Sequence, residues 1–209
     1  MVYILSHSPV QGARRLPVIT QTFFHKPIDF SLYDYLILTS KNAVLAAERI
    51  SKAWREVPAI VIGRATAKRV EELGGSVAYV ASQFYGERLA QELEESFDPK
   101  RRYLFLRPKV VSTDIASLLK KSGFVIDEEV VYETRCAACD ELTPPPKGSV
   151  ILFSSPSTVR CFFRCFGWDE SYRAYVLGAK TASALPEGIE YRICQGATLQ
   201  ECVDLILSQ

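Results

Sequence analysis

The chain has 209 residues, 48% of them hydrophobic and 23% charged, with no low-complexity tract, so it buries a core and is not a disordered protein. A formal net charge of +1 argues against a main role in gripping nucleic acid, while leaving room for a local site for an acidic ligand. No apolar run approaches the roughly 20 residues that span a bilayer.

The first apolar run, 2–5, reads as a buried strand rather than a leader. A cytoplasmic protein with six reduced cysteines is therefore expected. Further strands are predicted at 35–38, 59–62, 77–80, 103–106, 130–132, 150–153, 174–177 and 191–193. These runs are β-branched or aromatic and do not alternate, as in a parallel sheet buried on both faces. Helices are predicted at 41–54, 64–73, 84–96, 112–122, 156–167, 179–185 and 198–208, and Leu89, Leu93 and Phe97 show the i, i+4 spacing of a buried stripe. Alternation of this kind means an α/β fold with right-handed crossovers.

The chain also repeats itself. Residues 38–44 (Leu-Thr-Ser-Lys-Asn-Ala-Val) resemble 153–159 (Phe-Ser-Ser-Pro-Ser-Thr-Val), and 62–67 (Ile-Gly-Arg-Ala-Thr-Ala) resemble 177–182 (Leu-Gly-Ala-Lys-Thr-Ala). Thr39 to Gly63 is 24 positions, and so is Ser154 to Gly178. The copies lie 115 positions apart, far above a solenoid period. Residues 103–106 with 130–134 likewise resemble 3–5 with 17–20. The simplest arrangement is two similar flavodoxin/Rossmann-like α/β domains with parallel sheets, one inserted in the other. The outer domain is 1–19 plus 136–209, the inserted one 22–132, with a two-segment linker near 20–22 and 133–136. Two crossings make a hinge, and a cleft between the domains is the expected binding site. The run 5–17 is too short for the usual helix after the first strand, so the outer domain is expected to lack it.

Ligands of open parallel sheets sit beyond the carboxyl ends of the strands. Thr39, Ser40, Gly63, Ser154, Ser155 and Gly178 all fall there, between a strand and a helix. Ser40 or Asn42, and Ser155 with Pro156 after it, are natural helix starts. Such starts present free N–H groups and partial positive charge, which suit carboxylates or phosphates. Taken singly, each hydroxyl reads more readily as a cap; their duplication at matched spacing favours a ligand for the set.

These stretches, with Leu106-Arg107 and Val131-Tyr132-Glu133-Thr134, resemble in order the recurring features of the uroporphyrinogen-III synthase family. The resemblance implies a cofactor-free hydro-lyase of tetrapyrrole (porphyrin and heme) biosynthesis, a cytoplasmic monomer without metal. Its substrate is hydroxymethylbilane, a linear tetrapyrrole bearing eight carboxylates. The enzyme eliminates the terminal hydroxyl, inverts ring D through a spiro intermediate and closes uroporphyrinogen III. It also implies a small-molecule partner, neither nucleic acid nor membrane, and at most transient contact with the preceding enzyme of the pathway. By motif position Tyr132 assists departure of the hydroxyl. Thr39, Ser40, Asn42, Gly63, Thr66, Ala67, Arg107, Ser154, Ser155, Ser157, Gly178, Thr181 and Ala182 line the substrate site, with Lys41, Arg64, Lys109 and Lys180 beside it. The family's Leu-Arg-Gly reads Leu106-Arg107-Pro108 here, which removes an N–H from that turn.

Rival chemistries have less support. Cys136-x2-Cys139 with Cys161-x3-Cys165 has a zinc-like spacing, but the first pair falls in a linker and the second on a Phe-rich helix that accounts for it as buried thiols. His7 and His25 are the only histidines, without a G-x-S-x-G elbow, and neither G-x-G-x-x-G nor a P-loop is present. Pro144-Pro145-Pro146 reads as a stiff spacer. The alternative from another class is a non-catalytic two-domain binding protein for a small polyanion.

Overall fold

The structure, a computed structural model, describes residues 1–5, 9–83, 85–194 and 198–209. His7, and position 84 where the third helix was expected to start, lie outside the described residues. The chain opens with strands β1 (Val2–Ile4), β2 (Ala13–Arg15) and β3 (Ile19–Phe23). Next come β4 (Tyr35–Leu38), α1 (Lys41–Ile50), β5 (Ala59–Val61), α2 (Arg64–Glu72), β6 (Val77–Val80) and α3 (Gly86–Ser96). Then follow β7 (Arg102–Pro108), α4 (Ile115–Lys121), β8 (Val125–Cys136), β9 (Val150–Phe153) and α5 (Pro156–Cys165). The chain ends with β10 (Arg173–Val176), α6 (Ala179–Ala182), β11 (Tyr191–Ile193) and α7 (Leu199–Leu207).

It divides into two compact units, Met1–Gln21 with Thr134–Gln209, and Thr22–Glu133. In the second unit the strand order is β8-β7-β4-β5-β6, all parallel, with β3 added beside β8. Counted along the chain this is the order 3-2-1-4-5 of a Rossmann half-sheet extended by two strands, which starts at the central strand. The first unit has the order β2-β1-β9-β10-β11, also parallel, which is the flavodoxin order 2-1-3-4-5. The two sheets share one spatial plan with a different chain start, as the internal repeat requires.

The central strands are apolar without alternation because both faces are covered. In β4, Leu36 and Leu38 join a cluster with Val44, Ala47 and Val70 from α1 and α2, while Ile37 faces Leu89, Leu93 and Leu119 from α3 and α4. In the first unit Ile151 and Phe153 meet Val159 and Phe162 of α5, and Val150 and Leu152 meet Val203 and Ile206 of α7. No helix stands between β1 and β2 among the described residues. The C-terminal helix takes over that cover: Val10 and Ala13 pack in the α7 cluster, and the Gln11 N–H donates to Gln200 Oε1 at 3.0 Å.

Three sequence expectations need correction. The stretch 17–20, matched in sequence to 130–134, does not supply the second strand of the first unit's sheet: that strand is β2, which lies before it, and 19–20 open β3, which pairs with β8. The short strand expected at 130–132 is part of a 12-residue β8, which pairs with β7 along its first part and β3 along its second. Finally, the six cysteines are not reduced. Cys136–Cys161, Cys139–Cys165 and Cys194–Cys202 are disulfides, and none remains free. Cys161 and Cys165 lie one turn apart on α5, so they face the end of β8 and the short 3-10 turn Cys139–Glu141 as two successive rungs.

Candidate active site

Each unit builds the same edge from the same parts. The last paired residues of β4 and β5 are Leu38 and Val61, and two positions beyond them stand Ser40 and Gly63. For β9 and β10 the last pair is Phe153 and Val176, and two positions beyond them stand Ser155 and Gly178. Within each sheet, then, a serine cap and a glycine cap lie side by side at the carboxyl ends of adjacent parallel strands. The serine falls at the strand next to which the sheet order reverses, β4 beside β7 and β9 beside β1, where open α/β sheets bind ligands.

The caps differ in the donors they leave over. Ser40 is the N-cap of α1, and its Oγ accepts the Ala43 N–H at 3.1 Å. The N–H groups of Lys41 and Asn42 sit in the first turn, beyond reach of an intrahelical carbonyl. Asn42 is therefore inside the helix and is not its cap. At α5, Ser155 and Thr158 form a reciprocal capping box and Pro156 occupies the first turn. The Ser155 N–H is taken by Thr158 Oγ1 at 3.1 Å and Pro156 has none, which leaves Ser157 as the open donor there. Gly63 adopts φ +80°, a left-handed conformation that favours glycine, and leads into α2 with no side chain in the way of Arg64 and Ala65. Gly178 is extended, and a Cβ there would meet nothing within 4 Å.

Thr66 and Thr181 are only 5% exposed, and Ala67 and Ala182 are also buried. They pack the first turn of each helix against its sheet. Thr39, Ser40, Asn42, Ser154, Ser155, Ser157 and Gly178 are half-buried, and Lys41, Arg64, Lys109 and Lys180 are exposed. The Arg107 guanidinium is engaged locally. Its Nε donates to Glu128 Oε2 at 2.8 Å and its Nη1 to the Pro108 carbonyl at 3.1 Å.

Tyr132, on β8, is brought to this edge. Its hydroxyl lies 2.8 Å from Ser40 Oγ, while its ring belongs to the α1-side core and is 5% exposed. Burial pushes the phenol pKa up, and the Ser40 hydrogen bond partly offsets this, so the group keeps its proton at neutral pH. The backbone carbonyl of Tyr132 accepts the Lys109 N–H at 2.8 Å, and Lys109 Nζ reaches Glu133 Oε2 at 3.5 Å. Two neighbours escaped the sequence reading. The Phe23 ring lies 6.1 Å from that of Tyr132, and the Arg49 guanidinium lies 4.0 Å from the Phe23 ring centroid. Only the pairing of β3 with β8 reveals them. A pocket of about 460 Å³ in the first unit, at Tyr3, Arg14, Arg15 and Leu142, contains none of the predicted site residues.

The family model described as uroporphyrinogen-III synthase HemD matches residues 13–204. The uroporphyrinogen-III synthase of Synechococcus elongatus is 29% identical over 169 residues, which cover 74% of this chain and 64% of that relative's length. Among solved structures, the uroporphyrinogen-III synthetase from Helicobacter pylori 26695 superposes with a TM-score of 0.82 at 25% identity, covering 99% of this chain and 98% of the other. A mutant uroporphyrinogen III synthase from Thermus thermophilus gives a TM-score of 0.60 at 13% identity over 99% and 96% of the two chains, a likeness of fold.

Proposed function

We infer, from the premise that this chain belongs to the uroporphyrinogen-III synthase family, that it is a hydro-lyase that closes hydroxymethylbilane to uroporphyrinogen III. The reaction loses water and inverts ring D through a spiro intermediate. The pyrrole nitrogen expels the terminal hydroxyl, so the protein's task is to assist that departure and to hold a flexible polyanion in the folded geometry that leads to the inverted isomer. This is catalysis by positioning and by electrostatics, with no cofactor.

The observation that carries the reading is the contact of Tyr132 with Ser40. It puts a protonated phenol, a good donor to a departing hydroxyl, at a helix start whose first-turn N–H groups suit a carboxylate. Thr39, Asn42 and the turn after Gly63 extend that donor surface in one unit. Ser154, Ser155, Ser157 and the turn after Gly178 repeat it in the other. Thr66, Ala67, Thr181 and Ala182 contribute through the helical turns they anchor. Arg107 stands at the end of β7 beside that surface, with its charge already balanced by Glu128.

No helix among the described residues is long and apolar enough to cross a membrane. We place the protein in the cytoplasm as a monomer acting on a small molecule. The three disulfides oppose the cytoplasmic part of this reading, because paired cysteines are rare under a reducing poise. The test of function is to supply hydroxymethylbilane and identify the cyclised isomer. Type III product above the spontaneous type I is expected; type I alone rejects the assignment.

A further inference from the structure

The surroundings of Tyr132 are arranged by a part of the chain that the repeated motifs do not include. The Phe24 N–H donates to the Val131 carbonyl, and the Ala137 N–H to the Val18 carbonyl, each at 2.9 Å. Both bonds belong to one antiparallel register of β3 on β8, and that register sets Phe23 opposite Tyr132. Because Phe24 and Val131 are a hydrogen-bonded pair, Phe23 and Tyr132 are the neighbouring non-hydrogen-bonded pair, in which facing side chains come closest. Their rings are 6.1 Å apart and inclined at 36°.

Helix α1 acts on this pair from both of its ends. Its N-cap, Ser40, bonds the Tyr132 hydroxyl at 2.8 Å. In its last turn, Arg49 lays its guanidinium 4.0 Å from the Phe23 ring centroid. Rotation about χ2, whose well is broad, leaves the Tyr132 hydroxyl oxygen in place on the rotation axis but turns the ring plane, and with it the direction of the O–H bond. A ring held also by a facing aromatic, itself clamped by a cation, has little such freedom. The distinction matters for a proton donor, because a hydrogen bond weakens steeply as the donor's O–H direction departs from the acceptor.

We propose that Phe23 and Arg49 are positioning residues for Tyr132: Arg49 clamps the Phe23 ring, and the Phe23 ring fixes the plane in which the Tyr132 hydroxyl is presented beside Ser40. The proposal rests on the reading that Tyr132 assists departure of the substrate hydroxyl. On this proposal both side chains act through the phenol.

The test measures kcat and KM for hydroxymethylbilane cyclisation by Phe23→Leu, Arg49→Gln and Arg49→Lys, each made with Tyr132 intact and again in a Tyr132→Phe background. With Tyr132 intact, Phe23→Leu is expected to lower kcat about 3- to 10-fold, as for loss of an aromatic pair. Arg49→Gln is expected to lower kcat about 2- to 5-fold, as for loss of an exposed cation–π contact, with KM unchanged in both cases. Arg49→Lys keeps the cation and restores most of the rate. In the Tyr132→Phe background both losses disappear. If they persist in full there, or fall on KM alone, the positioning role is overturned while Tyr132 keeps its place in the reaction. If Tyr132→Phe itself turns over like the wild type, the reading of Tyr132 fails and the proposal fails with it. Arg49 is exposed, so its variants keep the question open even if Phe23→Leu unfolds the chain.

Discussion

Ser40 and Tyr132 are 92 positions apart in sequence, and their hydroxyl oxygens lie 2.8 Å apart. Ser40 Oγ has two roles, accepting the Ala43 N–H that starts α1 and sharing a hydrogen bond with the phenol. Ser40→Ala is therefore expected to cost about 1 kcal/mol in stability from the lost cap, and a further fall in kcat because the phenol loses its fixed partner. Ser40→Thr keeps both bonds and should retain most of each. Thermal melting separates the two effects from turnover. A stability loss with unchanged kcat would reduce Ser40 to a cap.

Removing only the phenol oxygen is the sharper change. Tyr132→Phe leaves the buried ring in place and is expected to lower turnover about 10- to 100-fold, the range of general acid assistance. Product should shift toward the spontaneous type I isomer. Unchanged turnover would remove Tyr132 from the chemistry. Burial raises the phenol's pKa, and Tyr103, fully buried in the same sheet, is pushed up to about 12. The sign for stability is the same at both residues. The folded state holds these protons more tightly than the unfolded chain, so their contribution is complete below the ordinary tyrosine pKa of about 10 and is lost as pH rises above it. Melting temperature should fall above that pH, and catalysis that needs the Tyr132 proton should fall in the same range.

The strands buried on both faces were legible because Leu36, Ile37 and Leu38 form an uninterrupted apolar run, and the helix starts because Ser40, Ser155 and Pro156 carry their own local chemistry. Elements held by their neighbours were not legible. Ala13–Arg15 has no apolar run and becomes a strand because β1 offers it an edge. The length of β8 reflects two different partners in succession. Arg107 lies on a recognisable motif, yet its pairing with Glu128 depends on the register of β7 on β8. Phe23 carries no motif, and its place beside Tyr132 is a product of strand pairing alone. The cysteine spacings located one face of α5 but could not show that the end of β8 lies against it.

That face is closed by two rungs, Cys136–Cys161 and Cys139–Cys165, which span 25 and 26 positions. A loop of that length is worth about 3.5 kcal/mol in the chain-entropy account. The rungs share nearly the same loop, so the second adds mainly by closing the few residues between them. Reduction should lower the melting temperature clearly, and the Cys139→Ala variant alone should lower it by less than Cys136→Ala with Cys139→Ala together. Alkylation of the unfolded, unreduced protein followed by mass measurement should find all six cysteines protected. Six alkylated cysteines would show that the thiols are free.

The buried carboxylate of Glu92, on α3, sets an acid limit by the opposite sign. It is 4% exposed and accepts from the Ser82 hydroxyl, the Ser82 N–H at 3.2 Å and Arg88 Nε at 2.9 Å. Burial alone would raise its pKa, but these bonds and one from Tyr79 outweigh burial and hold it below the ordinary carboxylate value. The folded state thus prefers the ionised form. The resulting stability is present above the unfolded carboxylate pKa of about 4.3 and is lost as pH falls through the lowered value. Glu92→Gln keeps the shape, removes the charge and is expected to cost about 1–3 kcal/mol at neutral pH. On acidification the wild type should lose stability faster than the variant, so the two melting curves converge toward low pH. A gap that stays constant with pH would mean that Glu92 acts through packing rather than charge.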